Sequence, residues 1–179
     1  KVFAPIDIPN ERSSHRTPTP RGGGLAIAVV AWVGTLFSNG PKLLDPRVLV
    51  ALLVGGFLVA GVGYADDKLQ LRAGIRFLVH LVAASLMVGM VAAAGNLHWF
   101  VVLLFVVGIA WSINLFNFMD GIDGIAGSQA VFVAGATAVL VTEGAQSSTT
   151  ELWVLTCGAA LGFLVWNWSP SKIFMGDVG

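Results

Sequence analysis

Between Asn114 and Asp123 two amides and two carboxylates recur at every third position, Asn114, Asn117, Asp120 and Asp123, with Gly121 and Gly124 set among them. Oxygens of this kind suit a hard cation that leaves positions open for water and a phosphate-bearing substrate. Residues three apart on a regular helix advance about 300°, so four such groups drift halfway round rather than share one face. A helix carrying Asn114, Asn117 and Asp120 that unwinds at Gly121 would let Asp123 and the freed backbone point into one cavity. The stretch ends an apolar run, and ionisable groups at membrane depth are costly enough to mark a functional site.

Two further acidic groups have the same character. Asp66-Asp67-Lys68 follows one apolar run, and Met175-Gly176-Asp177-Val178-Gly179 closes the chain. Adjacent carboxylates resist ionising together unless a cation is near, an arrangement that a Mg²⁺ site or a general base exploits. Arg72 and Arg76 stand beside the first pair. Near the start, Arg12, Arg16, Arg21 and His15 surround Gly22-Gly23-Gly24. That segment suits either a solvated loop or phosphate oxygens, and its glycines form neither a P-loop nor a dinucleotide fingerprint. His80 lies within an apolar run and His98 in a short loop, and both read as packing or loop residues outside the site. The single Cys157 excludes an intrachain disulfide and a multi-cysteine metal centre.

The elements that must position these groups are transmembrane. Of the 179 residues, 56% are hydrophobic and 11% charged, the formal charge is zero, and the mean hydropathy is +0.82. The expected fold class is all-α, a polytopic transmembrane helical bundle. Six apolar runs fall at 25–37, 48–63, 77–94, 99–113, 125–141 and 152–166, several needing flanking residues to reach the ~20 required to span. The organisation expected is one membrane domain, with a polar segment 1–24, six spans over 25–166 and a tail 167–179. If every run spans, the first segment, 64–76, 114–124 and the tail share one side. That side holds eight of the ten Lys and Arg, and only Lys42 and Arg47 lie opposite, which assigns it to the cytoplasm. Trp99, Trp153, Trp166 and Trp168 sit at run ends, as interfacial aromatics do. Nothing at the start has the apolar core of a signal peptide.

The groups taken together resemble a known family, the polyprenyl-phosphate N-acetylhexosamine-1-phosphate transferases that include the MraY, WecA and WbpL groups. The resemblance rests on Arg12-Ser13-Ser14-His15 with Pro18-Thr19-Pro20-Arg21-Gly22-Gly23, on Asp66-Asp67, on Asn114-x-x-Asn117-x-x-Asp120-Gly121-x-Asp123-Gly124, and on Phe174-Met175-Gly176-Asp177-Val178-Gly179. The opening Asp7-Ile8-Pro9-Asn10-Glu11-Arg12 is most similar to the WbpL-like branch that initiates O-antigen synthesis.

The resemblance implies that a polyprenyl phosphate oxygen attacks the β-phosphorus of a UDP-N-acetylhexosamine, giving a lipid-linked diphosphate sugar and UMP, at the cytoplasmic face of a bacterial inner membrane. It implies Asn117 and Asp177 as ligands of Mg²⁺, with Mn²⁺ as a substitute. It implies Asp66 and Asp67 as catalytic residues at the lipid phosphate, and Asp120, Asp123 and Asn114 on the nucleotide-sugar side. Arg76 and Arg72 become phosphate-binding residues. No nucleic acid enters this reading, and a homodimer is compatible with it.

The family normally has a span before the first loop, and further spans with a His-x-His loop after the last acidic group. The chain therefore reads as a fragment, expected to lack activity by itself. Two rivals fit less well. An intramembrane aspartyl protease couples Tyr-Asp to Gly-x-Gly-Asp, whereas Ala65 separates Tyr64 from Asp66 and Phe174 stands where the second element requires glycine. An ion-coupled transporter would place its acidic site near the midplane rather than at span ends.

Overall fold

The structure is a computed structural model that describes residues 6–9, 17–37, 45–93, 95, 97–142 and 147–178. The Arg12-Ser13-Ser14-His15 element, Arg16, Lys42 and the closing Gly179 lie outside the described residues. Each of the six apolar runs forms a helix: α1 (Gly23–Phe37), α2 (Pro46–Leu69), α3 (Ala73–Ala92), α4 (Trp99–Met119), α5 (Ile125–Thr142) and α6 (Ser147–Asn167). Two short strands, β1 (Ile6–Asp7) and β2 (Thr19–Pro20), pair antiparallel ahead of α1.

Local chemistry fixes several helix ends. The Asp45 side chain accepts a hydrogen bond from the Arg47 N–H at 2.7 Å, and Pro46 opens α2, where its missing N–H is not needed. The helix stops at Gln70, which is left-handed with φ 50° and donates its N–H to the Asp66 carbonyl at 2.9 Å. That tight stop lets α3 begin three residues later and turn back along α2. His98 caps α4 through Nδ1, which accepts from the Phe100 N–H at 3.3 Å.

Four helices are long and apolar enough to cross a membrane, Pro46–Leu69, Ala73–Ala92, Trp99–Met119 and Thr149–Asn167. The two others, Gly23–Phe37 and Ile125–Val141, are apolar but shorter than the ~20 residues of a full span. The protein is an integral, multi-pass, all-α membrane protein.

The helices pack in sequence as α2 on α3 and α3 on α4, and separately as α5 on α6 with α1 against α6. The fully buried apolar residues are mostly small: Ala51, Ala83, Ala84, Ala110, Ala126 and Ala160 are all at most 2% exposed. Large residues such as Phe118, Phe132 and Val165 point outward. Small side chains inside and large ones outside are what a bundle needs when lipid is its solvent and close backbone approach supplies the packing.

After α6 the tail folds back into the bundle rather than leaving it. Phe174, Met175 and Val178 are buried, and Met175 packs in one cluster with Ala126 and Phe163. The tail backbone threads beside β2 and the start of α1. The Phe174 N–H donates to the Pro20 carbonyl at 2.9 Å, Gly23 N–H to the Phe174 carbonyl at 3.0 Å, and Gly24 N–H to the Met175 carbonyl at 2.8 Å. On its other side the tail meets α2 at Gly63, where an added Cβ would run into the Asp177 carbonyl and lie 2.8 Å from the Val178 nitrogen. Of the glycines in α2, Gly63 is thus the one whose bare backbone the tail requires.

Candidate active site

All three acidic groups meet at one end of the bundle, as the alternation of loops predicts. Asp66 and Asp67 lie in the last turn of α2, Asp120 just past the end of α4, and Asp177 in the tail after α6. Arg76, in the first turn of α3, joins two of them. Its Nη1 donates to Asp66 Oδ2 at 2.6 Å and to Asp177 Oδ2 at 2.9 Å. The Asp66 and Asp177 carboxyls also share a hydrogen bond, and the Asn117 side chain hydrogen-bonds to Asp177.

Burial first, and then the nearby Asp66 and Asp67 carboxyls, push Asp177 up to about 7, with Asn117 pulling the other way. Asp67 accepts the backbone N–H of Asp177. Its Oδ1 stands 3.9 Å from Arg21 Nη1, beyond hydrogen-bond distance. Arg21 pairs closely with Asp7, Nη2 to Oδ2 at 3.0 Å. Burial pulls the Arg21 guanidinium down, but Asp7, Asp177 and Asp67 outweigh it and hold the group above its ordinary value.

The Asn114-to-Asp123 repeat disperses as its helical geometry requires. Asn114 faces α3, its Nδ2 donating to the Ala110 carbonyl at 2.8 Å and lying 3.2 Å from His80 Nδ1. Asn117 reaches Asp177. The helix ends at Met119, and Asp120 begins the turn through Gly124. Asp120 is 7% exposed, and its oxygens accept the N–H groups of Met175 and Gly176, both at 2.7 Å. Burial pushes this carboxyl up, and the two N–H groups pull it only part of the way back. Asp123 accepts the Ser171 hydroxyl at 2.7 Å and the Ser171 N–H at 3.2 Å. Asp123 also lines a cleft of about 510 Å³ with Ser128, Gln129 and Trp168.

The expected site residues thus fall into separate groups. Asp66, Asp67, Asn117, Asp177 and Arg76 are brought together. Asp120 and Asp123 tie the α4–α5 turn to the tail, and Asn114 lies in the α3–α4 contact. Arg72, the residue before α3, is exposed and makes no ion pair among the described residues, so only Arg76 of the two arginines reaches the carboxylates.

Two residues outside the expected site set join the site. Arg21 is one. The other is Asn167, fully buried at the end of α6, whose Oδ1 accepts the Gly124 N–H at 3.0 Å and whose Nδ2 donates to the Ile173 carbonyl at 3.0 Å. A lone amide closing an apolar helix was the available signal for Asn167, since such a group must find partners for both of its ends.

Among the described residues, no group of three or more His, Cys, Asp or Glu is disposed to hold a metal by itself. Asp177 and Asn117 nonetheless offer one carboxylate and one amide oxygen, and Oδ1 of both Asp66 and Asp67 is buried without a partner. Mg²⁺ takes one or two carboxylates and completes its octahedron with water and substrate phosphate, so this oxygen set fits it. The carboxylates of Asp7, Asp66, Asp67 and Asp177 face the guanidiniums of Arg21 and Arg76, which leaves the site short of positive charge.

The family model described as Glycosyl transferase family 4 matches residues 49–179. Over 185 residues the chain is 32% identical to the probable undecaprenyl-phosphate N-acetylglucosaminyl 1-phosphate transferase of Bacillus subtilis, covering 97% of this chain and 51% of that protein. It is 35% identical over 201 residues to the decaprenyl-phosphate N-acetylglucosaminephosphotransferase of Mycobacterium tuberculosis, covering 97% and 50%. The phospho-N-acetylmuramoyl-pentapeptide-transferase of Streptococcus uberis is 30% identical over 202 residues, covering 97% and 58%. The chain spans about half the length of the curated relatives it matches.

Proposed function

The chain belongs to glycosyl transferase family 4, and from that premise we propose that the full-length protein transfers N-acetylhexosamine 1-phosphate from a UDP-sugar to a polyprenyl phosphate. An oxygen of the lipid phosphate attacks the β-phosphorus, the bond from that phosphorus to the bridging oxygen of UMP breaks, and the products are a lipid-linked diphosphate sugar and UMP. The reaction serves as the initiating step of a cell-envelope polysaccharide such as an O-antigen. It takes place at the cytoplasmic face of a bacterial inner membrane, the side to which eight of ten basic residues are assigned.

Phosphoryl transfer needs positioning and charge neutralisation more than covalent help from the protein. Asp177 and Asn117 would hold Mg²⁺, or Mn²⁺ in its place, and the ion would supply positive charge for a diphosphate in a site where carboxylates outnumber guanidiniums. Arg76 fixes Asp66 and Asp177 on one guanidinium nitrogen and lies within reach of phosphate. Asp66 orients or deprotonates the lipid phosphate, and Asp67 sets the charge beside it. The nucleotide sugar lies on the side of the turn, where Asp123 borders the cleft with Trp168 and Gln129. Asp120 supports that side from within, because its oxygens are engaged by the Met175 and Gly176 N–H groups, whereas Asn114 is held in the α3–α4 contact beside His80.

The observation that carries this reading is the bridge from Arg76 to Asp66 and Asp177, which unites acidic groups more than a hundred residues apart. The test is UMP release by purified full-length protein given UDP-N-acetylglucosamine, polyprenyl phosphate and Mg²⁺. The expected result is release that requires all three. Substrate uptake into vesicles with no UMP formed would overturn the transferase and favour ion-coupled transport.

A further inference from the structure

A second cleft, of about 450 Å³, opens between the β-pair and the α2–α3 turn. Asp7 and Arg21 line it together with Asp66, Asp67 and Arg76, so it adjoins the acidic centre and shares no lining residue with the Asp123 cleft. Its chemistry is unbalanced in a specific way. Arg21 gives Nη2 to Asp7 at 3.0 Å, yet its Nε is buried with no hydrogen-bond partner. The Nε and Nη2 edge of a guanidinium is a fork that meets two oxygens of one anion. Asp7 answers half of that fork, and a buried donor left unanswered is costly. A tetrahedral phosphate group, with several oxygens, can answer both halves.

One edge of this otherwise polar cleft is apolar, and that edge favours one of the two phosphate sources. Ile6 and Ile8 line it and are 55% and 71% exposed, although they stand next to a cluster of charges. Such an edge suits a phosphate that ends a hydrocarbon chain. We propose that Arg21 anchors the phosphate of the lipid acceptor in this cleft, with Asp7 holding the guanidinium in place until that phosphate displaces it. The assignment rests on the transferase reading above, and places the two substrates in two separate clefts.

The test is equilibrium binding to the full-length protein in detergent, using a short-chain polyprenyl phosphate, the corresponding polyprenol and UDP-N-acetylglucosamine. Arg21→Lys keeps the charge but loses the fork, so the Kd for the lipid phosphate should rise about tenfold to a hundredfold, the worth of one charge-assisted pair. Polyprenol and UDP-sugar binding should not change. Asp7→Asn weakens the competing anion and should tighten lipid phosphate binding, a gain that misfolding cannot produce. Equal losses for polyprenyl phosphate and polyprenol, or a loss confined to the UDP-sugar, would overturn the anchor. Wild-type binding of the lipid phosphate with both variants unchanged would overturn the anchor alone. A wild-type protein that binds no polyprenyl phosphate would overturn the transferase reading with it.

Discussion

Asp120 and Asp177 sit at the same end of the bundle and are both largely withdrawn from water, yet they are held by different things. Asp120 faces backbone, each oxygen taking one N–H of the tail at 2.7 Å. Asp177 faces other charged side chains, with Arg76 at 2.9 Å and the Asp66 carboxyl beside it. Backbone donors cannot leave, so the turn around Asp120 is a fixed joint. Side-chain partners can be exchanged for a substrate or a cation, so the cluster around Asp177 is where chemistry has room. Residue type alone does not separate a structural carboxylate from a reactive one; its partners do.

That contrast can be broken by experiment, in the full-length protein. Asp177→Asn should have the largest effect: it removes the charged oxygen that a hard cation prefers, and turnover should fall by several orders of magnitude, with partial recovery at high Mg²⁺ or Mn²⁺. UMP release measures it, and near-normal turnover would remove Asp177 from the reactive group. Asp66→Asn comes next, with a loss of about 10²–10⁴-fold if proton transfer is its role. Binding of UDP-sugar in the presence of metal should survive. A larger loss would point to orientation of the lipid phosphate, and a loss of UDP-sugar binding would place Asp66 on the wrong substrate.

Asp120→Asn sharpens the other half of the comparison. The amide presents one acceptor to two N–H donors, which leaves one buried donor unpaired at about 1–3 kcal/mol. Thermal unfolding should therefore shift to lower temperature. Unchanged stability together with a raised KM for the UDP-sugar would instead show that Asp120 touches the nucleotide, and the joint would be no joint. Ser171→Ala should have the smallest effect, because Asp123 keeps the Ser171 N–H and loses only the hydroxyl, at about 0.5–1.5 kcal/mol of stability. A loss of turnover as large as that of Asp66→Asn would show that the turn carries chemistry after all.

The helices were legible because apolar runs of this length have no other stable form in lipid. The meeting of the three acidic groups followed from the alternation of loops, and the unwinding after Met119 from Gly121 and the three-residue repeat. What the pattern could not give was the path of the tail. Asp120 and Asp177 become different residues only because the tail turns inward and presents the Met175 and Gly176 N–H groups to one of them. The same path makes Asn167 a link between the Gly124 N–H and the Ile173 carbonyl. Arg76, ahead of Arg72, read as the phosphate-binding residue beside Asp66, and past the stop at left-handed Gln70 Arg76 reaches the carboxylates while Arg72 remains exposed. Arg21 stood in a recognisable motif, but its value depends on Asp7 in a strand of two residues, too short to read from periodicity.

The bare backbone at Gly63 has a consequence for how this site responds to its surroundings. The Asp177 backbone passes directly over Gly63, and the preceding Gly176, with φ 75°, is packed so closely that a Cβ there would sit 3.0 Å from the Gly22 nitrogen. Steric fit of this kind has no ionic strength dependence and no titration, whereas the ion pairs inside the site have both. Salt and acidity can therefore alter what occupies the acidic centre while leaving its mould unchanged, and one methyl group at position 63 would deform the mould without removing any charge.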